Sequence, residues 1–464
     1  MALFILIEAT GIFEQVMVYT AIPTLMKVFD LDAADVSWVA TTFLLVGAGT
    51  TAISGRLGDM YGRKKILVIL MVLSTVGSII SVAFANFPAL LVGRALQGTS
   101  AALFPLLVAL GREIVAAKRV PVLVSITTGA AAIAGALAGV VAGYLVDLGD
   151  WRLMFGFSAV LAVLALIGAF ILPAGTQSGD RKRIDVLGAL LLAPSIASVL
   201  YGVNAWRAEG VTGPVLGYVF GGAAVFLFWI ALELRLREPM FNLRLFKQRA
   251  LVIALLLTAL LGMGAQAALA LMHPILMQSP KMLPVGVGVT ATTSGLFGLI
   301  GGFLGFAVSP IGGRIAGRIG GKVPVLVGFV IVAIGFGMFS LSTHNLALAV
   351  VALTVHSLGN AFILAGIPNL IVEAVPAHNT GEAVGLVFGV ARTMFTAIGT
   401  AIVGMLMASS VVPGTKAPTL TAWNTVTIFS VASAVLAILI TFAVKRAKLP
   451  AASGDVATEV PEKV

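Results

Sequence analysis

A carboxylate held inside a long apolar run can carry a proton, or grip a cation, in a layer that excludes water. Glu14 is such a group: residues 2–26 carry only two charges, Glu8 and Glu14. An ionisable side chain at a bilayer centre costs from about 2.5 kcal/mol upward unless it faces a partner or water, so each is a functional candidate by default. For Glu14 the expected role is proton coupling or cation binding, against a structural hydrogen bond. Glu8 stands six residues earlier, about 240° away on the helical wheel. It is expected to snorkel or pair structurally rather than to bind protons. Arg94 and Arg392 stand in later apolar runs. A guanidinium inside a helix bundle can pair with an acid and bias it toward the charged form, which makes both candidates to tune an acid in the bundle; the alternative is a helix–helix clamp. His356 and Asn360, four apart on one helical face, are candidates to line a cavity, although a hydrogen-bonded bundle histidine is the favoured reading.

No enzyme constellation accompanies these groups. The four histidines, at 273, 344, 356 and 378, are scattered, and with no cysteine there is neither a disulfide nor a thiolate metal site. Neither a Gly-x-Ser-x-Gly nor a Walker-type Gly-Lys-Ser/Thr segment occurs. No metal and no cofactor is therefore expected, and any work the protein does has to draw on an ion gradient.

The elements that position these side chains are membrane helices. The 464 residues are 59% hydrophobic and only 10% charged, where a soluble chain carries about 25% charged residues. A span needs about 20 mostly apolar residues. On that rule fourteen helices are predicted near 2–22, 37–56, 65–85, 88–111, 121–146, 152–172, 186–206, 214–234, 250–275, 286–310, 323–342, 346–373, 380–409 and 421–444. Prolines 23, 88, 121, 173, 214, 239 and 284 fall at or near the proposed ends. No basic segment precedes the first span and no small-residue cleavage site follows it, so it does not read as a cleavable signal.

Charge sets the orientation. With the amino terminus inside, 22 of the 29 Lys and Arg fall in cytoplasmic loops: Arg56, Arg63, Lys64, Lys65, Arg112, Lys118, Arg119, Arg181, Lys182, Arg183, Arg235, Arg237, Arg244, Lys247, Arg249, Arg314, Arg318, Lys322, Lys445, Arg446, Lys448 and Lys463. Five are left outside (Lys27, Arg152, Arg207, Lys281, Lys416) and two lie within spans. That asymmetry predicts both termini in the cytoplasm of a multi-pass inner (plasma) membrane protein. The net charge of +10 then reads as anchoring to anionic lipid rather than as a nucleic-acid surface.

Two segments 258 residues apart are near copies: Gly55-Arg-Leu-Gly-Asp59-Met-Tyr-Gly62-Arg63-Lys64 and Gly313-Arg314-Ile-Ala-Gly317-Arg318-Ile-Gly320-Gly321-Lys322. Parallel repeats inside a transporter leave this kind of internal symmetry. The first copy resembles the signature loop between helices 2 and 3 of the major facilitator superfamily; the second has lost the acid and one arginine. Other segments extend the resemblance across about residues 8–445. Phe13-Glu14-Gln15 through Ala21-Ile22-Pro23 resembles the family's helix 1 motif, with its acid nine residues before the proline. Leu91-Val-Gly-Arg94-Ala-Leu-Gln97-Gly98 resembles the helix 4 motif. Asp150-Trp151-Arg152, Asp185-Val-Leu-Gly188, Glu238-Pro-Met-Phe-Asn-Leu-Arg-Leu-Phe246, and Arg392 with Gly399 are similar to segments of the fourteen-span drug:proton antiporter branch. At the place of the branch's helix 5 Gly-Pro-x-x-Gly-Gly motif stands Ala138-Gly139-Val140-Val141-Ala142-Gly143, without the proline. Gly135, Gly139 and Gly143 remain as small residues for close helix packing.

The resemblance implies an all-α major facilitator fold: a six-helix bundle (1–175), two inserted helices with linkers (176–245), a second six-helix bundle (246–448) and a disordered tail (449–464). It implies a conformational latch at Gly55, Asp59, Gly62, Arg63 and Lys64, the alternative being topology anchoring alone. The function expected is proton-coupled export of amphipathic or cationic drugs by alternating access, hence antibiotic resistance, by a monomer whose partners are protons, small amphipathic molecules and membrane lipids, not nucleic acid. A same-fold exporter of an endogenous lipid, siderophore or metabolite is the alternative, and a passive channel or receptor is the reading from a different class.

Overall fold

The computed structural model describes residues 1–116, 119–175, 186–236, 239, 243–375 and 383–443. The linker around Asp185, Glu238 with most of its segment, and the tail after 443 lie outside them. The described residues are helical, with one isolated bridge between Val411 and Pro418 and no strand. The helices are α1 (Ala2–Phe29), α2 (Ala33–Tyr61), α3 (Arg63–Ala83), α4 (Phe87–Ile114), α5 (Val120–Asp147), α6 (Arg152–Ile171), α7 (Val186–Glu209), α8 (Gly213–Arg235), α9 (Arg249–Gln278), α10 (Ala291–Ile319), α11 (Lys322–Leu341), α12 (Leu346–Ala374), α13 (Gly385–Ala408) and α14 (Leu420–Phe442). Thirteen are long and apolar enough to cross a membrane, and α7 contributes a shorter apolar stretch, Leu190–Trp206.

The chain is inside-out relative to a soluble protein. Large apolar side chains such as Phe220 (67% exposed), Ile428 (67%) and Leu439 (61%) cover the periphery, while Glu14, Arg94, Gln97 and the hydroxyls of Ser74 and Ser78 are buried. Helices suit a lipid setting because each satisfies its own backbone. Their starts are chemically marked at one end of the molecule. Asp32, Asn86, Thr290, Asn345 and Thr419 cap α2, α4, α10, α12 and α14 with side-chain oxygens, each satisfying backbone N–H groups left without helical partners.

One apolar core is drawn wholly from α1 and α3–α6, around Ile7, Leu67, Leu107 and Ala165. A larger one joins α1 and α5 to α9–α14, and a third joins α2 to α7, α8 and α13. Within the first half α3 packs on α4 and α6; within the second α11 packs on α12 and α14. Across the halves α5 packs on α10 and α2 on α13.

Three boundary expectations need correction. Pro23 does not end the first span: α1 runs through it to Phe29, since a membrane helix re-satisfies the group freed by proline with its neighbours. The duplicated segments are not loops for most of their length. Gly55–Asp59 and Gly313–Arg318 form the last turns of α2 and α10, and only Gly62 (φ 95°) and Gly320 (φ 90°) break the helix. That left-handed region disfavours any Cβ, so glycine is required at both repeats. Finally, the fourth span is interrupted by a 3-10 turn over Gly98–Ala102, where a Cβ on Gly98 would stand 2.4 Å from the Phe43 carbonyl oxygen.

Candidate functional site

Glu14 is 2% exposed and turned away from the cavity, into the packing of α1 against α3 and α4. Ser74 Oγ lies 2.6 and 2.7 Å from its two carboxylate oxygens, and Ser78 Oγ donates at 3.0 Å. Both serines come from α3, one helical turn apart, which places them on one face. Gln97 Nε2 donates to Ser78 Oγ at 2.8 Å, and Arg94 Nη1 donates to Gln97 Oε1 at 2.9 Å. Arg94 also donates to the carbonyl oxygens of Glu14 (2.7 Å) and Val39 (3.0 Å), with its guanidinium 4.4 Å from the Phe43 ring centre. The expected pairing of Arg94 with the acid is thus indirect, because the backbone acceptors hold the guanidinium in its own layer. Ser74 and Ser78 were not singled out from sequence: a serine in a membrane helix gives no local signal of what it faces.

A cavity of about 720 Å³ lies between the halves. α1, α2 and α4 line it from one side and the start of α13 from the other, and it runs to the exposed Arg112 at the end of α4. The acid on its wall is Glu8, 6% exposed, not Glu14. The 240° between them, 120° the shorter way round, decides this, since one face of α1 meets α3 while a different face meets the cavity. Glu8 therefore does not snorkel, and it has no ion-pair partner among the described residues. Arg392 faces the same cavity, donating from Nε to Phe388 O (3.1 Å) and from Nη1 to Gln266 Oε1 (3.3 Å). His356 lies outside it, 1% exposed and edge-on to Phe336 at 4.9 Å between ring centres, and its Nδ1 has no partner among the described residues, where the sequence favours a hydrogen-bonded histidine. Asn360, whose Oδ1 also lacks a partner, does not line the cavity either. His356 sits where α12 packs on α11, against Gly335 and Phe336.

At the far end from Arg112 the halves are closed. A Cβ on Gly143 would stand 2.3 Å from Ala291 O, and one on Gly295 would stand 2.3 Å from Gly139 O, so α5 and α10 meet backbone to backbone. Gly135 instead faces Ile12 on α1. Asp147, the last residue of α5, accepts from Ala291 N (3.1 Å), Thr292 N (2.8 Å) and Thr292 Oγ1 (2.5 Å). A carboxylate at a helix N-terminus is favoured by the dipole and by the free N–H groups. Gly404 of α13 packs against Ala33 and Ser37 of α2 at the same end.

At the cavity end Arg63 joins three helices. It binds Asp59 at 2.8 Å, Glu113 at 3.0 Å and Ala109 O at 2.7 Å. Lys64 Nζ donates to Phe170 O at the end of α6 (2.8 Å), and Lys322 Nζ donates to Phe442 O at the end of α14 (3.2 Å). Gly321 N donates to Glu373 of α12 at 2.9 Å, as Arg63 reaches Glu113 of α4. The second copy thus lacks an acid of its own but is tied by a carboxylate 260 positions after Glu113. Gly55 has open space around it.

Two pseudo-equivalent helix bundles enclosing a cavity that is sealed at one end define a membrane transporter rather than an enzyme. The chain belongs to the Major Facilitator Superfamily, whose family model matches residues 4–400 and 254–461. It is 27% identical over 453 residues to the uncharacterized MFS-type transporter YcnB of Bacillus subtilis, covering 95% of this chain and 93% of that one. It is 27% identical over 409 residues to the multidrug resistance protein Stp of Mycobacterium tuberculosis (85% and 73%), and 29% identical over 392 residues to a uridine/deoxyuridine transporter of Lactococcus lactis (80% and 79%). In fold it is similar to a D-xylose-proton symporter, with TM-score 0.68 at 16% identity over 96% of this chain and 98% of that one.

Proposed function

We propose that the protein is a proton-coupled antiporter that exports amphipathic compounds across the cell membrane by alternating access. In this reading both termini and the open end of the cavity face the cytoplasm, as the basic residues at Arg56, Arg63, Lys64, Arg112 and Lys322 favour. The pair α7 and α8, which pack on each other and through α7 on α2, is the addition that makes fourteen spans in the drug:proton branch.

One observation carries the reading: a carboxylate, Glu14, is buried among hydroxyl donors with no direct cation on it, in the half that would move against the cavity's other wall. Such a group can exchange a proton as its surroundings change between two states, and a gradient of protons then biases those states. Resemblance to the Stp multidrug protein supports drugs as substrates. The likeness to a nucleoside transporter supports a second reading, transport of a nucleoside-like metabolite. Proteoliposomes with an imposed pH gradient, tested against dyes, antibiotics, nucleosides and lipids, decide between them. Flux that follows the gradient and collapses with an uncoupler is expected; flux linear in concentration and indifferent to the uncoupler would instead indicate a passive channel.

A further inference from the structure

Two ionisable side chains of opposite kind, Glu8 and Arg392, face the cavity, and neither has a counterion among the described residues. Glu8, on α1, is 6% exposed, and no hydrogen bond or ion pair reaches its carboxylate among the described residues. Arg392, on α13, is pinned by two neutral acceptors, Phe388 O and Gln266 Oε1, with its guanidinium 5.2 Å from the Phe388 ring centre. Those contacts fix the direction of the fork, and no carboxylate among the described residues pairs with it. Arg112, the other cation on the wall, is exposed at the mouth, where water serves it.

An ionisable group withdrawn from water is costly to charge unless it is paired, so a lone Glu8 carboxyl favours its neutral form, and a ligand that supplies both partners lets Glu8 ionise while it matches Arg392. A simple cation would satisfy Glu8 and be opposed by Arg392. A simple anion would do the reverse. A molecule with an acidic group at one end, an amine at the other and an apolar body satisfies both, its body lying against Phe104 and Phe388, which line the same cavity. Planar bidentate donation suits the arginine to a carboxylate or a phosphate-like group. Because Glu8 and Arg392 stand on different halves of the molecule, a ligand that holds both stabilises this state over any in which the halves have swung apart.

We propose that Glu8 and Arg392 form a two-ended site for zwitterionic amphipaths, Glu8 taking the amine and Arg392 the acid. The proposal rests on the cavity being the transport site but not on proton coupling. Three probes share one apolar body: Nα-dansyl-lysine (zwitterion, its ammonium and carboxylate at opposite ends of the side chain), dansylcadaverine (cation, the same without the carboxylate) and dansyl-norleucine (anion, the same without the ammonium). Their binding to the purified full chain in detergent is read by dansyl fluorescence, with melting temperature as the check on folding. The parent is expected to bind the zwitterion about tenfold or more tightly than either single-charge probe, the effect of one charge-assisted contact. Glu8→Gln should erase the preference over the anion and keep that over the cation; Arg392→Gln should do the opposite, and Arg392→Lys, which keeps the charge but not the fork, should keep the preference over the anion and only part of that over the cation. Should Arg392→Gln fail to fold, the Glu8→Gln ratio decides alone. Equal or tighter binding of the cation by the parent, a zwitterion-to-anion ratio unmoved by Glu8→Gln, or binding of none of the probes overturns the proposal. Flux driven by a pH gradient would stand or fall separately in proteoliposomes.

Discussion

Arg94 meets Glu14 through the backbone: its Nη1 donates to the Glu14 carbonyl oxygen at 2.7 Å, while the carboxylate is reached only through Gln97 and Ser78. The guanidinium thereby fixes where α1 stands against α4 without neutralising the acid. Arg94→Lys keeps the charge but cannot serve Val39 O, Glu14 O and Gln97 Oε1 together. Each bond to a charged group contributes about 1.5–3 kcal/mol. Arg94→Lys is therefore expected to lower the melting temperature of the purified protein clearly, and an unchanged melting temperature would contradict the clamp.

The closed end depends on one carboxylate. Asp147→Asn keeps the shape at the start of α10 but loses the charge that Ala291 and Thr292 N–H groups favour. The expected loss is about 1–2 kcal/mol, or about 5- to 30-fold in the balance between closed and open. The chain has no cysteine, so Thr20→Cys, buried near this end, can report it directly. Labelling by an impermeant maleimide should rise in Asp147→Asn, and equal labelling in both backgrounds would remove the gating role.

Glycines of α5 make a sharper pair. At Gly143 a Cβ would stand 2.3 Å from Ala291 O, whereas at Gly135 it would stand 3.4 Å from Ile12 Cγ2. Gly143→Ala should part α5 from α10, raising Thr20→Cys labelling and slowing transport. Gly135→Ala should be close to neutral. Similar behaviour of the two variants would mean that the close approach is not used.

At the cavity end Asp59→Asn should cut transport while the protein stays folded. Asp59 is half exposed in its pair with Arg63, and exposed pairs contribute only about 0–1 kcal/mol to stability. An effect on rate would therefore come from the balance of states. Normal transport by Asp59→Asn would leave this region as a topology anchor.

The repeat and the helical class were legible because both are written in runs of residues: apolar stretches, basic loops, and Gly62 with Gly320 at matching places. Arg94 was visible for the same reason, as a lone charge in an apolar run, whereas Gln97 stood only inside the quoted helix 4 segment. What was not legible depends on rotation of one helix against others. Glu8 and Glu14 stand in the same apolar run, and only the packing of α1 on α3 shows that Glu14 turns inward while Glu8, expected to snorkel or pair, is left on the cavity. Asp147 was missed because its partners, Ala291 and Thr292, are over 140 residues away and offer backbone groups. His356 and Asn360 stand one helical turn apart, yet neither lines the cavity, and His356 packs instead on Phe336 of α11.

Glu14→Gln tests the central claim most directly. Glutamine keeps the size and can still accept from Ser74 and Ser78, but it cannot titrate. Purified parent and variant would be placed in proteoliposomes with an imposed pH gradient, and efflux of a transported dye followed. The variant should fold, bind neutral substrate and lose the acceleration that the gradient gives the parent. Efflux by Glu14→Gln that responds to the gradient as the parent does would contradict the account and move the coupling site to Glu8.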